Sequence, residues 1–251
     1  MKSLEKTPRR ATTHAPIARA FARAALLSCC ALPALAQDIE LAPIVVEGDP
    51  GVVTEGAGNY TWSRVTVGGK QPQDNRDIPQ TVTVLTRDVL DAANATSIEE
   101  ASRLLPSLTV ATGDGFVGSL YSRGQEVFQY YVDGAPRPFL SIYGTAPDLF
   151  FFDRLEVLSG PSGVFQGSGE PVGTINLVRK RPTDTFQALG GGSADSEGGY
   201  RGQADVGGPR NESGTVRGRI AAYGEHRDSF TEFAEMDAYG VFGTLEIDLT
   251  D

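Results

Sequence analysis

The sequence predicts an α+β domain followed by the first strands of a transmembrane antiparallel β-barrel. Three observations predict it: a basic then apolar N-terminus, a middle segment mixing short strands with capped helices, and a last third in which apolar and polar residues alternate.

The N-terminus reads as a secretory signal peptide over residues 1–36. Arg9, Arg10, Arg19 and Arg23 precede an apolar run from Ala24 to Ala34, and Ala34-Leu35-Ala36 is a small-x-small cleavage site. The run is too short to span a bilayer, and Pro33 interrupts it near its end. Cys29 and Cys30 both lie inside this leader, so the mature chain offers no disulfide, thiolate nucleophile or cysteine metal site. The leader also takes six of the 22 basic residues and one of the 32 acidic ones, leaving 16 against 31. So acidic a chain repels nucleic acid. His14 is removed with the leader, and His226, set among Glu225, Arg227 and Asp228, reads as a solvated loop side chain. Imidazole catalysis and zinc binding lack material, and no paired nucleophile and base is evident, so the chain reads as a non-enzyme.

Residues 37–76 are rich in Gly, Pro, Asp and Gln, with one apolar island, Ile44-Val45-Val46, inside "ELAPIVVEGD". A β-branched triplet in such a segment suits strand addition to a partner's sheet edge. A first strand docked within the same domain is the other reading.

Residues 77–182 form the α+β domain. "DIPQTVTVLT" puts Val82 and Val84 on one face of a strand and Thr81, Thr83 and Leu85 on the other, and Thr86 then caps a short helix. Ser97 with Glu100 makes a capping box, and Ile98, Ala101, Leu104 and Leu105 form an apolar stripe that Pro106 ends. Further strands are expected near 120–122, 129–132, 155–158 and 173–178, with Asp133-Gly134 as a turn. Five glycines, Gly160, Gly163, Gly167, Gly169 and Gly173, lie between the last two strands. They do not make a phosphate loop, because no Gly is followed by Lys and then Ser or Thr. The spacing is one residue too long for a dinucleotide fingerprint, and a strand follows instead of a helix. A tight strand connection remains.

From 183 to 251 the pattern is regular alternation. Val241, Gly243, Leu245, Ile247 and Leu249 face one way and Phe242, Thr244, Glu246, Asp248 and Thr250 the other; Gly202, Ala204 and Val206 oppose Arg201, Gln203 and Asp205 in the same manner. Four strands are expected, at about 185–194, 200–207, 215–226 and 238–250. A soluble sandwich alternates similarly, but the leader favours a barrel wall, as do the short "GGPRNESGT" and longer polar "HRDSFTEFAEMD" connections.

"DIPQTVTVLT", "SIEEASRLLPSLTV", "YSRG", "YYVDGAP" and "DRLEVLSGPSGVFQGSGEPVGTINLVRKRP", in that order, make the chain resemble the TonB-dependent outer-membrane receptors, in particular the ferric-siderophore branch. The resemblance covers essentially all of the mature chain. It implies a plug domain inserted in a 22-stranded barrel in the outer membrane of a Gram-negative bacterium, with an iron(III)-siderophore complex as cargo and no cofactor. It also implies a TonB box ahead of the plug. "LAPIVVEG" sits where that box is expected, giving Ile44, Val45 and Val46 as the contacts for TonB. Plug loops that face the ligand map near 113–118, 125–129 and 138–145. Phe116, Phe128, Phe139 and Tyr143 there are candidates to stack on the chelate, with Arg137 as a candidate cation; packing against the barrel interior is the alternative for each aromatic. The five glycines become a structural turn of the plug. Ser159 stands where the family commonly has Arg, and Val172 where it commonly has Gly.

The resemblance also admits receptors for haem, cobalamin or an oligosaccharide, and an exported β-protein without transport remains a further reading. Four strands cannot close a barrel, and open edges in hydrocarbon leave backbone groups unpaired. The sequence therefore leads us to expect that these 251 residues are a part of a receptor, or a broken reading frame, without transport competence of their own.

Overall fold

The alternation that starts at Thr81 becomes the edge of a five-stranded sheet in the computed structural model, which describes residues 53–67, 69, 71–112, 118–138, 147–161, 172–228 and 234–249. Gly48–Asp251 form one unit, and all the described residues belong to it. In chain order the first strands are β1 (Arg64–Val65), β2 (Gln73–Asp74), β3 (Thr81–Leu85), β4 (Thr109–Thr112), β5 (Gly118–Ser122), β6 (Gln125–Glu126), β7 (Gln129–Val132), β8 (Ala135–Pro138), β9 (Phe152–Ser159) and β10 (Gly173–Arg179). The sheet runs β3-β9-β10-β7-β8, antiparallel except where β7 lies parallel to β10. β1 and β2 form a small hairpin, and β4-β5-β6 a separate three-stranded sheet.

Two helices link these strands, and each starts where a side chain caps it. In α1 (Arg87–Ala92) the Thr86 hydroxyl accepts from the Val89 N–H; in α2 (Ile98–Ser102) Ser97 and Glu100 exchange the reciprocal bonds of a capping box. Asn94 turns the chain out of α1 at φ 49°. Ile98, Ala101 and Leu105 are buried as the stripe requires, but Leu104 is exposed. The reason is length: the helix stops at Ser102, so the helical spacing that would bring Leu104 onto the buried face no longer applies.

Leu85 of β3, Leu90 of α1, Ile98 of α2 and Leu155, Val157, Ile175 and Leu177 of β9 and β10 share the main core. Val82 and Val84 point to the other face of the sheet, onto a second cluster made by Val65, Val67, Ile78 and Leu158. Residues 53–67, read from the sequence as linker, thus form a strap across that face. Val65 and Val67 on the strap are almost fully buried.

The remaining strands are β11 (Gln187–Ala194), β12 (Tyr200–Pro209), β13 (Val216–Asp228) and β14 (Glu235–Ile247), an antiparallel meander. β13 and β14 run further than the sequence suggests, since His226 pairs with Asp237 and Asp228 with Glu235. The connection inside "HRDSFTEFAEMD" is therefore residues 229–234, no longer than the 210–215 turn on the opposite edge, and His226 is a strand residue and not a loop one. One face of the meander is apolar and exposed, with Leu189, Val206, Ile220, Val241, Leu245 and Ile247 in its middle. Tyr200 and Tyr239 flank it near one edge and Phe186 near the other, the placing of the aromatic girdles on membrane strands.

At the ends of the glycine-rich connection, Gly160 and Gly173 have φ +101° and +123°. A Cβ at Gly173 would lie 2.5 Å from the Leu158 carbonyl oxygen, whereas one at Gly124 (φ +80°) meets nothing within 4 Å. Gly173→Ala is therefore expected to destabilise the chain by about 3 kcal/mol, through strain plus overlap, and Gly124→Ala by about 1–2 kcal/mol through strain alone. Urea titrations of the two variants side by side check the order.

Candidate functional site

The inward face of the wall sheet and the α+β domain meet along a seam of buried charges. Arg219 on β13 donates to both carboxylate oxygens of Glu55 (2.6 and 2.8 Å) and both of Asp205 on β12 (2.8 and 2.7 Å). Lys180, just beyond β10, lies 2.8 Å from Asp205 and 3.5 Å from Glu55. Two cations and two anions therefore close a neutral cluster. Each anion touches both cations, which is what lets charges stay out of water. Burial alone would raise the Glu55 carboxyl; Arg219 and Lys180 outweigh it and hold it below its ordinary 4.5.

A second cluster lies further along the seam. Asp148 caps a short 3-10 turn (Leu149–Phe151) by accepting from the Phe150 N–H at 2.8 Å, and it also takes both Nη groups of Arg201 at 2.7 and 2.9 Å. Arg201 also reaches Glu225 at 2.9 Å, and Glu225 pairs with Arg227, which donates to the Thr96 hydroxyl at 2.9 Å. The same 3-10 turn sends Phe151 into the wall, its ring 5.5 Å from Tyr223 and 5.8 Å from Phe242. Gly240 makes room for it: a Cβ there would approach the Phe151 ring to 3.0 Å. The alternation of Arg201, Gln203 and Asp205 marked these positions as inward-facing, but nothing local named Asp148, 53 residues away, as the partner of Arg201, or Glu55, 164 residues away, as the partner of Arg219.

Beneath the seam, the strap is held by charges on β9. Thr54 N–H donates to both Asp153 carboxylate oxygens (2.8 and 3.0 Å) and Glu55 N–H to one of them (2.9 Å). The Thr66 N–H and hydroxyl donate to Glu156 at 2.9 and 3.0 Å, and Asn176 donates to the same oxygen at 3.2 Å. Arg154 sits between, bonded to Asp153 and Glu156 at 2.9 and 2.8 Å.

Of the candidate ligand contacts, Phe128 and Arg137 are described; Phe116, Phe139 and Tyr143 lie outside the described residues. Phe128 precedes β7 and is 59% exposed, and Arg137 is exposed on β8 opposite Tyr130, whose hydroxyl burial shifts upward. Because Gln129 pairs with Pro138, Phe128 and Arg137 sit at one end of the β7-β8 hairpin. The parallel register of β7 with β10 brings Gly173 to the same end. Gly163, Gly167 and Gly169 lie outside the described residues, as do Ile44, Val45 and Val46. Ser159 pairs with Gly173 and Thr81, while Val172 is buried and its carbonyl accepts from the Ser122 hydroxyl at 2.7 Å. Among the described residues no group of three or more His, Cys, Asp or Glu is placed to hold a metal.

Glu55 gives the seam a testable acid response. A carboxyl lowered in the folded state contributes stability above its unfolded value of 4.5, and that contribution is lost as pH falls through the lower folded value. Trp62, the only tryptophan, lies on the strap and reports on it. Its emission is expected to shift to the red on acidification below about 4.5, and Glu55→Gln is expected to remove that phase.

Comparison with known proteins agrees with this geometry. Residues 74–174 match the TonB-dependent receptor plug domain. The chain is 39% identical over 181 residues to the ferric-pyoverdine M114 receptor PbuA of Pseudomonas sp. strain M114, covering 70% of this chain and 22% of that one. It is 34% identical over 172 residues to the ferripyoverdine receptor of Pseudomonas aeruginosa, covering 66% and 21%. A solved structure of the outer-membrane ferripyoverdine receptor of Pseudomonas aeruginosa bound to ferripyoverdine superposes with a TM-score of 0.72 at 35% identity, over 80% of this chain and 27% of that one. The alcaligin outer-membrane receptor FauA of Bordetella pertussis gives 0.70 at 29% identity, over 79% and 34%. The chain thus spans about a fifth to a third of the length of these relatives. With a plug domain over 74–174 and four wall strands behind it, the chain is a part of a TonB-dependent receptor, similar to those for ferric siderophores.

Proposed function

We propose that this chain supplies the plug and the first wall strands of an outer-membrane receptor that binds a ferric siderophore of the pyoverdine kind and passes it to the periplasm. The observation that carries the reading is the 39% identity to a ferric-pyoverdine receptor over 70% of this chain. The geometry supports it: the wall turns an apolar face outward and a charged face onto the plug, so lipid and plug are both provided for. The ferric ion is cargo, and the protein performs no bond chemistry on it.

In this reading Phe128 presents a ring to the chelate and Arg137 a cation to its anionic groups, joined by Phe116, Phe139 and Tyr143. Ile44, Val45 and Val46 pair by strand addition with TonB, which draws on the inner-membrane proton gradient. Residues 1–36 direct export through the inner membrane.

The test uses a full-length receptor carrying this sequence in cells fed iron-55-labelled ferripyoverdine. Deleting residues 39–47 is expected to abolish uptake and leave surface binding unchanged; undiminished uptake overturns the reading. Phe128→Ala combined with Arg137→Ala is expected to weaken ferripyoverdine binding about tenfold, equivalent to about 1.4 kcal/mol.

A further inference from the structure

The arginines of the wall divide between its two faces. Arg201, Arg217, Arg219 and Arg227 take inward positions, and each is paired with a carboxylate. Arg210 does neither. It continues the outward series of β12, Tyr200, Gly202, Ala204, Val206 and Gly208, one step past the strand end. A Cβ at Gly218, which pairs with Gly208 and with Leu245, would lie 3.2 Å from the Arg210 Nε and 3.6 Å from Leu245 Cδ1. The Arg210 side chain therefore lies across the bare backbone of Gly218, on the apolar face and beside Leu245. Phe186 covers Gly208 next to it, its Cα 2.8 Å from where a Cβ would stand. Arg210 is exposed, and among the described residues its side chain has no hydrogen bond or ion pair, not even with Glu212 in the same turn.

We propose that Arg210 is a binding site for an anionic phospholipid: its guanidinium holds the lipid phosphate, and the acyl chains run from there along Leu245, Ile220 and Val206. The inference rests on the receptor reading for the wall's place in a membrane, and on the geometry for the site. A cation laid on a surface that faces hydrocarbon needs an anion beside it, and no carboxylate of the wall supplies one here. At the edge of a bilayer the phosphates of the lipids are the anions within reach. The planar fork of a guanidinium fits two phosphate oxygens at once. A lipid of net negative charge is favoured over a zwitterionic one, whose own ammonium group competes for the phosphate.

The other end of the same face has the opposite character. His226, opposite Tyr200 on the outward side, lies 2.7 Å from Asp237 and 3.5 Å from Asp228, and Asp228 pairs across the strands with Glu235. Three carboxylates against one imidazole repel a phosphate. One apolar band thus has a rim that attracts lipid phosphate and a rim that turns it away, and the site is confined to the Arg210 end.

The experiment is photocapture of lipid by the full-length receptor in vesicles of equal parts phosphatidylglycerol and phosphatidylcholine. A benzophenone amino acid replaces either Ile247, which pairs with Val216 in the row of Arg210, or the exposed Tyr239 near the acidic end, and mass spectrometry reads the lipid captured. Phosphatidylglycerol is expected to exceed phosphatidylcholine about fivefold at position 247 and to show no excess at 239. Arg210→Gln is expected to bring position 247 to parity, and Arg210→Lys, which keeps the charge and loses the fork, to leave a smaller excess. Added inorganic phosphate is expected to leave the ratio unchanged; its collapse would assign the site to a free anion and overturn the lipid. Parity at 247 with Arg210 intact overturns the proposal, as does an equal excess at both positions or one that survives Arg210→Gln. Capture without preference defeats the site alone. No capture at either position defeats the lipid-facing wall of the receptor reading, and the site falls with it.

Discussion

Buried charge on one strand organises this molecule. β9 is covered on both faces, yet it carries Asp153, Arg154 and Glu156, all almost wholly removed from water. Three such charges have an odd balance: Arg154 answers part of two carboxylates, and the remaining acceptor capacity must be filled by donors from elsewhere or the strand cannot stay buried. The donors are the N–H groups of Thr54 and Glu55 at one end and Thr66 with Asn176 at the other. The strap is therefore a structural necessity of β9 and lies where the carboxylates require it.

The wall follows from the strap. Holding Thr54 on Asp153 delivers the Glu55 side chain to the position where Arg219 and Lys180 meet, and Asp205 completes the neutral set. Lys180 immediately follows β10, and its cation also stands 4.4 Å over the Phe150 ring. The covalent passage from plug to wall is thus reinforced where it occurs. The second cluster and the Phe151 insertion repeat the logic further up the strands, with a cation–π contact of 4.4 Å between Arg201 and Tyr223 joining them. Every wall position used is an inward one in the period-two pattern, which leaves the outward positions free to be uniformly apolar.

What the sequence reveals and what it hides divide by distance along the chain. The Thr86 cap, the Ser97/Glu100 box and the Asp133-Gly134 turn are settled by residues three or fewer positions apart, and each appears as read. The four wall strands are legible because alternation is a property of each strand alone. Leu104 misled because helix length, not spacing, decided its exposure. His226 misled because a charged run resembles a loop, while in the structure its ring stacks on Tyr200 at 5.2 Å within the sheet. The strap and the seam were invisible for a different reason: a Gly- and Asp-rich segment looks like linker until its partners, about 100 residues away on β9, are known.

The chemistry of the seam also separates it from an ordinary core. An apolar interface resists opening in proportion to its area, at roughly 25 cal/mol per Å² returned to water, and nothing in the solvent offsets that cost. Paired ions behave otherwise, because water hydrates the separated charges and recovers much of what the pairing supplied. A plug held by Glu55, Asp148, Arg201 and Arg219, with Phe151 the one ring inserted from its 3-10 turn, is fixed firmly in place while dry and is cheap to release once water enters. The plug keeps its main apolar core to itself, beside the buried charges of β9, and meets the wall chiefly through ions. That division allows one body to stay folded while its attachment to the other is broken and remade.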